Sequence, residues 1–486
     1  MDPLKPLKER MPEVPLPLQR RSNDEFSPPP YSATDHRVLA KVKSDGPEAA
    51  RRVNRSLADY WSSRRGTASA LRAIDEAHGG GFYTLPSEAT LDQAAADTAL
   101  GGDETVIDVQ THYISDHSTY TLPLNGYLSD QRAKAKLHAT AAVLTMLQNV
   151  APERFKELNG ERGLLLTEFL RCVYLESETA VAVLTSAPGD AQRNFLTNDE
   201  IAGTRELVDR LAGTGRLLNH SIVHPNKPGE LEHMARIKER YHPVGWKVYT
   251  HHGNDQWPGG EGGWMLDDER FGLPFLEGSR KIGVNMVCVH KGFSNLAPTG
   301  APKDIGPAAK AFPDVSFMVY HSGYEIPRDE VGEGPYSKAT AHLGSNRLVK
   351  TLKDAGIPPG RNVYAELGST WFCLMRRPVE AAHVLGKLIK AMGEDNVLWG
   401  TDSIWYGSPQ PLIDAFRVFQ IPERMREKYG YPRLTKAFKA KALGLNAARV
   451  YGIDIKQARA RADADDLAWV KKALDHYKAK GTPCLA

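Results

Sequence analysis

The 486-residue chain predicts an α/β fold, a (β/α)8 barrel of the TIM type with a helical N-terminal extension and a long insertion after its first strand. Three observations lead there. From residue 104 onward, short apolar runs alternate with helical patterns, as in a parallel sheet covered on both faces. There are eight such runs, the number that closes a barrel rather than leaving an open sheet. Most runs end in an imidazole, a carboxylate or an amine, and the C-terminal ends of the strands are where this architecture carries its chemistry.

Residues 1–35 form a Pro-rich, charged arm ending in FSPPPYSATD. Such a segment has too little apolar surface to offset its ordering entropy, so it is expected to be disordered or to lie extended on the body or on a partner subunit. Residues 36–103 read as a helical extension. Within it, residues 46–78 read as helix, with Pro47 in the first turn, apolar repeats at Val53, Leu57 and Tyr60, and a stop at Gly79, Gly80 and Gly81.

The barrel is expected over residues 104–455. Its strands are ETVIDVQ (104–110), TAVAVLT (179–185), the weaker GRLLNHSIVHP (215–225), VGWKVYT (244–250), IGVNMVCVH (282–290), VSFMVYH (315–321), NVYAELG (362–368) and NVLWGTD (396–402). Helical patterns between them include residues 198–213, 229–241, 341–356 and 378–393. The first two strands are far apart. The stretch between them holds helical patterns at 132–149 and 163–174 and reads as an insertion near the active face, a candidate lid. Residues 250–269, THHGNDQWPGGEGGWMLDDE, read as a long Gly-rich loop over the site. Residues 456–486 read as a helical tail.

Composition narrows the function. The hydrophobic fraction of 41% and the charged fraction of 25% are those of an ordinary globular protein. A net charge of +3 gives no reason to expect nucleic acid or a membrane surface as partner, and no apolar run of spanning length is present. Four scattered cysteines (Cys172, Cys288, Cys373, Cys484) argue against a disulfide framework and a thiolate metal site, and fit a reducing, cytoplasmic setting. The arm and the extra helix are compatible with a homodimer that exchanges arms.

The strand ends carry the functional reading. Strand one ends in Gln110 and His112, strand three near His220 and His224, strand five in His290, strand six in His321, strand seven in Glu366 and strand eight in Asp402. Strand four carries Lys247 and is followed by His251 and His252. Gln110 and His112, two apart, can face the same point. Imidazole and carboxylate suit zinc, iron or manganese, so one or two divalent ions are expected, acting on a small-molecule substrate. A lone histidine at a strand end is ordinarily a hydrogen-bonding rim residue, and an aspartate in GTDS is often a cap. The case rests on the set. Glu325 and Glu366 are the carboxylates placed to hold a ligand histidine in one tautomer. Trp246, Trp257, Trp264, Trp371 and Trp405 are expected at the rim, where they would suit a partly aromatic substrate.

Three motifs add a resemblance. Asp108 to Tyr113 reads DVQTHY against a usual DVHTHY, Gly400 to Ser403 reads GTDS, and Leu443 to Asp454 reads LGLNAARVYGID. Over about residues 104–455 the chain resembles the amidohydrolase superfamily, in particular the branch of aminocarboxymuconate-semialdehyde decarboxylase and related aromatic-acid decarboxylases. The resemblance implies metal ligands at His112 and His290, a ligand or general acid/base at His321, a ligand or water-activating group at Asp402, and a bridging lysine at Lys247. Gln110 departs from the pattern, standing where the family has a histidine. It would then be a weak ligand, favour a harder or redox-active ion, or mark a degenerate site. The expected activity is hydrolysis or non-oxidative decarboxylation of a carboxylate or carbonyl substrate. The alternative is a non-heme diiron oxygenase on the same barrel, with His220, His224, His251 and His252 in a remodelled site.

Overall fold

Each of the eight apolar runs forms a strand in the computed structural model, which describes residues 14–21, 23, 25–26, 28, 30–115, 118, 166–187, 194–251, 263–294, 297–327 and 332–480. The strands are β1 (Val106–Thr111), β2 (Thr179–Leu184), β3 (Leu217–Ile222), β4 (Gly245–Tyr249), β5 (Met286–His290), β6 (Ser316–Tyr320), β7 (Val363–Glu366) and β8 (Val397–Leu398). They lie in sequence order, each parallel to the next. The ring closes where the Val109 N–H donates to the Trp399 carbonyl (3.0 Å), the Asp402 N–H donates to the Gln110 carbonyl (2.9 Å), and Thr111 bridges to Ser403. This is the (β/α)8 barrel.

The strands read as continuous apolar runs because both faces are covered. One face packs on the outer helices. The other fills the barrel with Ile107, Val109, Val181, Val183, Cys288, Met318, Tyr320 and Leu398. Ala447 and Ala448, from the helix Asn446–Tyr451, pack onto that interior cluster at the strands' N-terminal ends, where Asn446 donates to the Val397 carbonyl (2.8 Å). Apolar packing therefore closes the bottom, and polar side chains gather at the opposite mouth.

The N-terminal extension corrects one expectation. Pro47 is not a first-turn residue. It lies inside the helix Ala33–Arg52, which a Ser32–Asp35 capping box starts: the Asp35 N–H donates to Ser32 Oγ (3.0 Å) and the Ser32 N–H to Asp35 Oδ2 (2.9 Å). The box satisfies two orphan donors and sets the start well upstream of the proline. The remainder of residues 46–78 is broken into Leu57–Trp61 and Arg64–Ala77, because Ser56 and Ser63 each accept a backbone N–H three residues on and begin a new helix.

Gly46 allows this packing. A Cβ there would lie 2.1 Å from Cζ2 of the buried Trp61 ring. Gly46→Ala is therefore expected to be destabilising by about 1–3 kcal/mol from overpacking, outweighing the ~1 kcal/mol gained in helix propensity. Urea denaturation measures it, and an unchanged or raised midpoint would mean that the Trp61 ring shifts freely.

The helix expected over 341–356 starts only at Asn346, and the segment 163–174 forms Leu166–Leu170 followed by a wide turn. The pattern at 132–149 and most of the Gly-rich loop lie outside the described residues. The described part of the arm lies on the body. Leu18 is buried, Phe26 stacks on Phe293 with ring centroids 4.7 Å apart, and Arg21 donates to the Tyr406 carbonyl (3.2 Å). The tail, Ile455–Ala464 and Asp466–Lys480, is pinned by a buried Arg216–Asp465 ion pair (2.6 Å). No helix among the described residues is long and apolar enough to cross a membrane.

Candidate metal centre

The strand ends deliver their polar residues through strained turns. His321, Ser322, Ser369, Asp402 and Phe293 all have φ between 44° and 63°, a region that L-residues with side chains rarely adopt. Each such residue costs on the order of 1–3 kcal/mol and persists only where the surroundings hold it. Here Glu366 does much of the holding. Its carboxylate accepts the His321 N–H (3.0 Å) and the Gly368 N–H, and its carbonyl accepts the Ser322 hydroxyl (2.7 Å). Burial pushes the Glu366 carboxyl up to about 8. Gly400 makes the room, since a Cβ there would meet Glu366 Oε1 at 1.8 Å. Midway along β1, Asp108 accepts the N–H and hydroxyl of Thr401 and clamps the first strand to the turn after β8.

One group of donors forms between β1 and the turn after β8. His112 Nε2 is 3.1 Å from Asp402 Oδ1, and the Gln110 amide nitrogen donates to the same oxygen at 2.9 Å. His112 Nδ1 lies 2.9 Å from the Thr185 carbonyl, so this nitrogen carries a proton and Nε2 is the atom turned to the aspartate. Asp402 Oδ2 accepts the Ser369 hydroxyl and the Asn23 amide (2.8 Å). Burial works against the Asp402 charge, but the hydrogen bond and charge of His112 prevail and hold its carboxyl below the usual range. The register of β1 against β2 shifts between Asp108 and Thr111, within the stretch that carries Gln110.

A second group lies beside it. His290 and His321 face each other edge to face at 4.6 Å, with Tyr249 stacked on His290 at 4.2 Å. Glu25, from the arm, sits over both. Its Oε1 is 3.5 Å from His290 Nδ1 and its Oε2 is 3.7 Å from His321 Nε2. The Tyr249 hydroxyl donates to Glu25 Oε1 (3.0 Å) and the Asn23 amide to Oε2 (2.7 Å), so Asn23 bridges Glu25 and Asp402. Burial, then the charge of Asp402, pushes the Glu25 carboxyl up to about 8. His321 Nδ1 is 2.7 Å from the Gly368 carbonyl, leaving Nε2 as the acceptor, and burial pulls its pKa down to about 4. Lys247 lies beneath with Nζ 3.6 Å from the Tyr320 ring centroid, and burial pulls its ammonium down to about 8.

Other expected residues lie elsewhere. His220 is inside the barrel, bonded to the hydroxyls of Tyr320 (3.1 Å) and Tyr451 (2.9 Å), because β3 points it at the lower core. His224 lines an outer groove with Lys227, Glu230 and His233. Neither joins the centre. His251 lies tilted against His290 with ring centroids 4.9 Å apart, and His252 lies outside the described residues. Glu325 reaches no histidine. It accepts from Ser294 (2.7 Å) and pairs with Arg347 (3.0 Å), tying the loops after β5 and β6 together. The tryptophans are largely core rather than rim. Trp246 and Trp371 are fully buried, and Trp264 and Trp371 donate to backbone carbonyls. Trp257 lies outside the described residues. Among the described residues of this set, Trp405 approaches the mouth, packed on Phe195, which in turn faces His112.

The donor set fits a divalent cation. Among the described residues, His321 Nε2, Lys247 Nζ and Gln110 Oε1 are buried with no hydrogen-bond partner, an arrangement that is costly unless something else is bound. One donor atom each from Glu25, His290 and His321 lies within 4.8 Å of the others. Carboxylate and imidazole without thiolate suit zinc, iron or manganese.

Fold and donors together define a (β/α)8-barrel protein with an imidazole- and carboxylate-lined mouth. The model of the family described as Amidohydrolase matches residues 107–453, and the chain belongs to this family. No curated protein matches it by sequence. Among solved structures it is similar to 2,6-dihydroxybenzoate decarboxylase from Rhizobium, at 14% identity and TM-score 0.40, covering 72% of this chain and 100% of that one. It is similar as well to 5-carboxyvanillate decarboxylase from Sphingomonas paucimobilis, at 16% identity and TM-score 0.41, covering 72% and 100%. A 5-carboxyvanillate decarboxylase from Novosphingobium aromaticivorans, complexed with manganese and 4-hydroxy-3-methoxy-5-nitrobenzoic acid, is similar at 15% identity and TM-score 0.41, covering 73% and 97%. Likeness of this degree assigns nothing to the site.

Proposed function

We propose that this protein hydrolyses or non-oxidatively decarboxylates a small or medium-sized, partly apolar carboxylate or carbonyl substrate. The observation that carries the reading is the convergence of His112, His290, His321 and Asp402 on one barrel mouth above Lys247. His112, His290 and Asp402, with His321, would hold the ion. Once bound, a divalent ion supplies Lewis acidity toward a carbonyl or carboxylate and a lowered pKa for water.

The chain's own residues do the rest. His321 donates its Nδ1–H to the Gly368 carbonyl, so Nε2 carries the lone pair that would hold the ion. Burial keeps it neutral near pH 7, the form of imidazole that ligates a metal. Asp402 stays ionised and is held on both oxygens, which fixes its orientation toward His112. Lys247, without a hydrogen-bond partner, is placed to neutralise a substrate carboxylate. Phe195 and Trp405 beside His112, and Phe293 beside His321, form aromatic walls that exclude water from an apolar substrate.

The test is a panel of aromatic carboxylic acids, followed by carbon dioxide release, and of esters and lactones, followed by acid release. We expect turnover of one class, lost on chelation and restored by zinc, manganese or iron(II). Equal turnover by chelated and loaded protein would remove the metal from the reaction. No turnover of either class by loaded protein would remove the reading.

A further inference from the structure

The barrel supplies His112, His290, His321 and Asp402 from its own strand ends, but beside His112 the first strand places an amide, Gln110, rather than an imidazole or a carboxylate. Glu25 enters the same mouth from outside the barrel. We propose that Glu25 is a ligand of the metal centre, so that the N-terminal arm is a resident part of the site and the metal in turn fastens the arm. The inference rests on the reading of the barrel as a metal-dependent enzyme and adds a ligand from a segment outside it.

Geometry carries it first. Glu25 Oε1 and Oε2 lie 3.5 Å from His290 Nδ1 and 3.7 Å from His321 Nε2. Those distances are too long for hydrogen bonds. They suit donors of one cation, because atoms bound at ~2.0–2.2 Å from a common ion lie roughly 3–4 Å apart. His321 turns its acceptor nitrogen to Glu25, with the other nitrogen committed to the Gly368 carbonyl. An imidazole acceptor facing a carboxylate acceptor is unfavourable without a proton or a cation between them.

Charge carries it second. One amide nitrogen, Asn23 Nδ2, donates to both Glu25 Oε2 (2.7 Å) and Asp402 Oδ2 (2.8 Å). Two carboxylates gathered on one donor repel each other, and a divalent ion relieves the repulsion.

Anchoring carries it third. On either side of Glu25 the arm is tied to the body by Arg21 on the Tyr406 carbonyl and by Phe26 on Phe293. The Tyr249 hydroxyl fixes the carboxylate from below. A ligand held in place by an outer hydrogen bond is the usual construction of a metal site. A competing role, a plug that closes the mouth by pairing with Lys247, would place Glu25 there without any gain in metal affinity.

The experiment uses the full chain stripped of metal. Manganese(II) and zinc(II) binding are measured by equilibrium dialysis and elemental analysis for wild type, Glu25→Gln, Glu25→Asp and His290→Ala. Trypsin cleavage at Arg20 and Arg21 is followed with and without metal. We expect Glu25→Gln to weaken binding by at least about 100-fold, beyond the ~10–100-fold that loss of an outer partner brings. Glu25→Asp should weaken it less. Metal should slow cleavage at Arg20 and Arg21 in wild type and not in Glu25→Gln.

Wild-type affinity in Glu25→Gln, with binding lost in His290→Ala, would overturn the ligand role and leave the metal-enzyme reading standing. Absence of binding in wild type would overturn both. If Glu25→Gln does not fold, the wild-type cleavage rates decide: no slowing by metal overturns the proposal.

Discussion

Asp402→Asn is expected to leave a folded barrel that turns over substrate about 10³–10⁴-fold more slowly than wild type and holds metal weakly or not at all. The carboxylate is the junction of the site. Oδ1 faces His112 and accepts from Gln110, and Oδ2 accepts from Ser369 and from Asn23. An amide keeps the shape but removes the charge, and it presents a donor where the structure needs acceptors. Its NH2 would oppose either the Gln110 amide or the Asn23 amide, so one of those contacts becomes repulsive. The arm should loosen with it, read as faster trypsin cleavage at Arg20 and Arg21. Glu325→Gln is the control. Glu325 lies on the same face but bonds only to Ser294 and Arg347 among the contacts resolved, so kcat/KM should stay within about twofold, since removing a partly exposed ion pair costs roughly 0–1 kcal/mol. A full loss of activity in Glu325→Gln would place the reacting atoms nearer the loop after β6 than His112 and Asp402. Undiminished activity in Asp402→Asn would remove this aspartate from the chemistry.

Much of this was readable in the residues because the barrel repeats one simple requirement. A strand covered on both faces must be apolar throughout, so VCVH or SFMVYH stands out, and the polar residue that ends the run is already at the mouth. His112, His290, His321 and Asp402 come together for that reason. Other residues were not readable, for physical reasons that differ. His220 also lies in a strand, but one register position decides between mouth and lower core, and its partners Tyr320 and Tyr451 are distant in sequence. Trp246 sits next to Lys247 and faces the helices, because neighbouring residues on a strand point to opposite sides. Glu25 was the largest omission. Nothing in a Pro-rich, charged arm marks one carboxylate as seated in a barrel. The only local signals are Phe26 next to it and the capping box at Ser32 that fixes where the chain becomes regular. Those fix a start for the helix and not a destination for the arm.

Lys387→Met is expected to lower stability by about 3–5 kcal/mol, the cost of leaving a buried charge unpaired. In sequence Lys387 is one cation in the helical pattern PVEAAHVLGKLIKAMG. In the fold that helix, Pro378–Met392, is buried almost all round, Lys387 with it at 3% side-chain exposure. Its ammonium lies 2.7 Å from Glu333 Oε1 and donates to the Gly334 carbonyl (2.9 Å) and to Asn346 Oδ1 (2.8 Å). Burial pulls the ammonium below the ordinary lysine range, and Glu333 pulls the other way. Glu333 in turn accepts the N–H and hydroxyl of Ser345, so the pair fastens the segment before helix Asn346–Ala355 to its neighbour. Methionine fills a similar volume, so the loss is electrostatic rather than a cavity. With roughly 2 °C per kcal/mol for a long chain, the midpoint should fall on the order of 6–10 °C. Adding Glu333→Gln should return part of the loss, because the stranded carboxylate is then neutral, and metal stoichiometry should stay at the wild-type value throughout. If the double variant is as unstable as the sum of its parts, the pair contributes through its hydrogen bonds to Gly334, Asn346 and Ser345 and not through its charge. If Lys387→Met also loses metal, the segment it fastens reaches the mouth of the barrel, and stability and site cannot be varied separately in this chain.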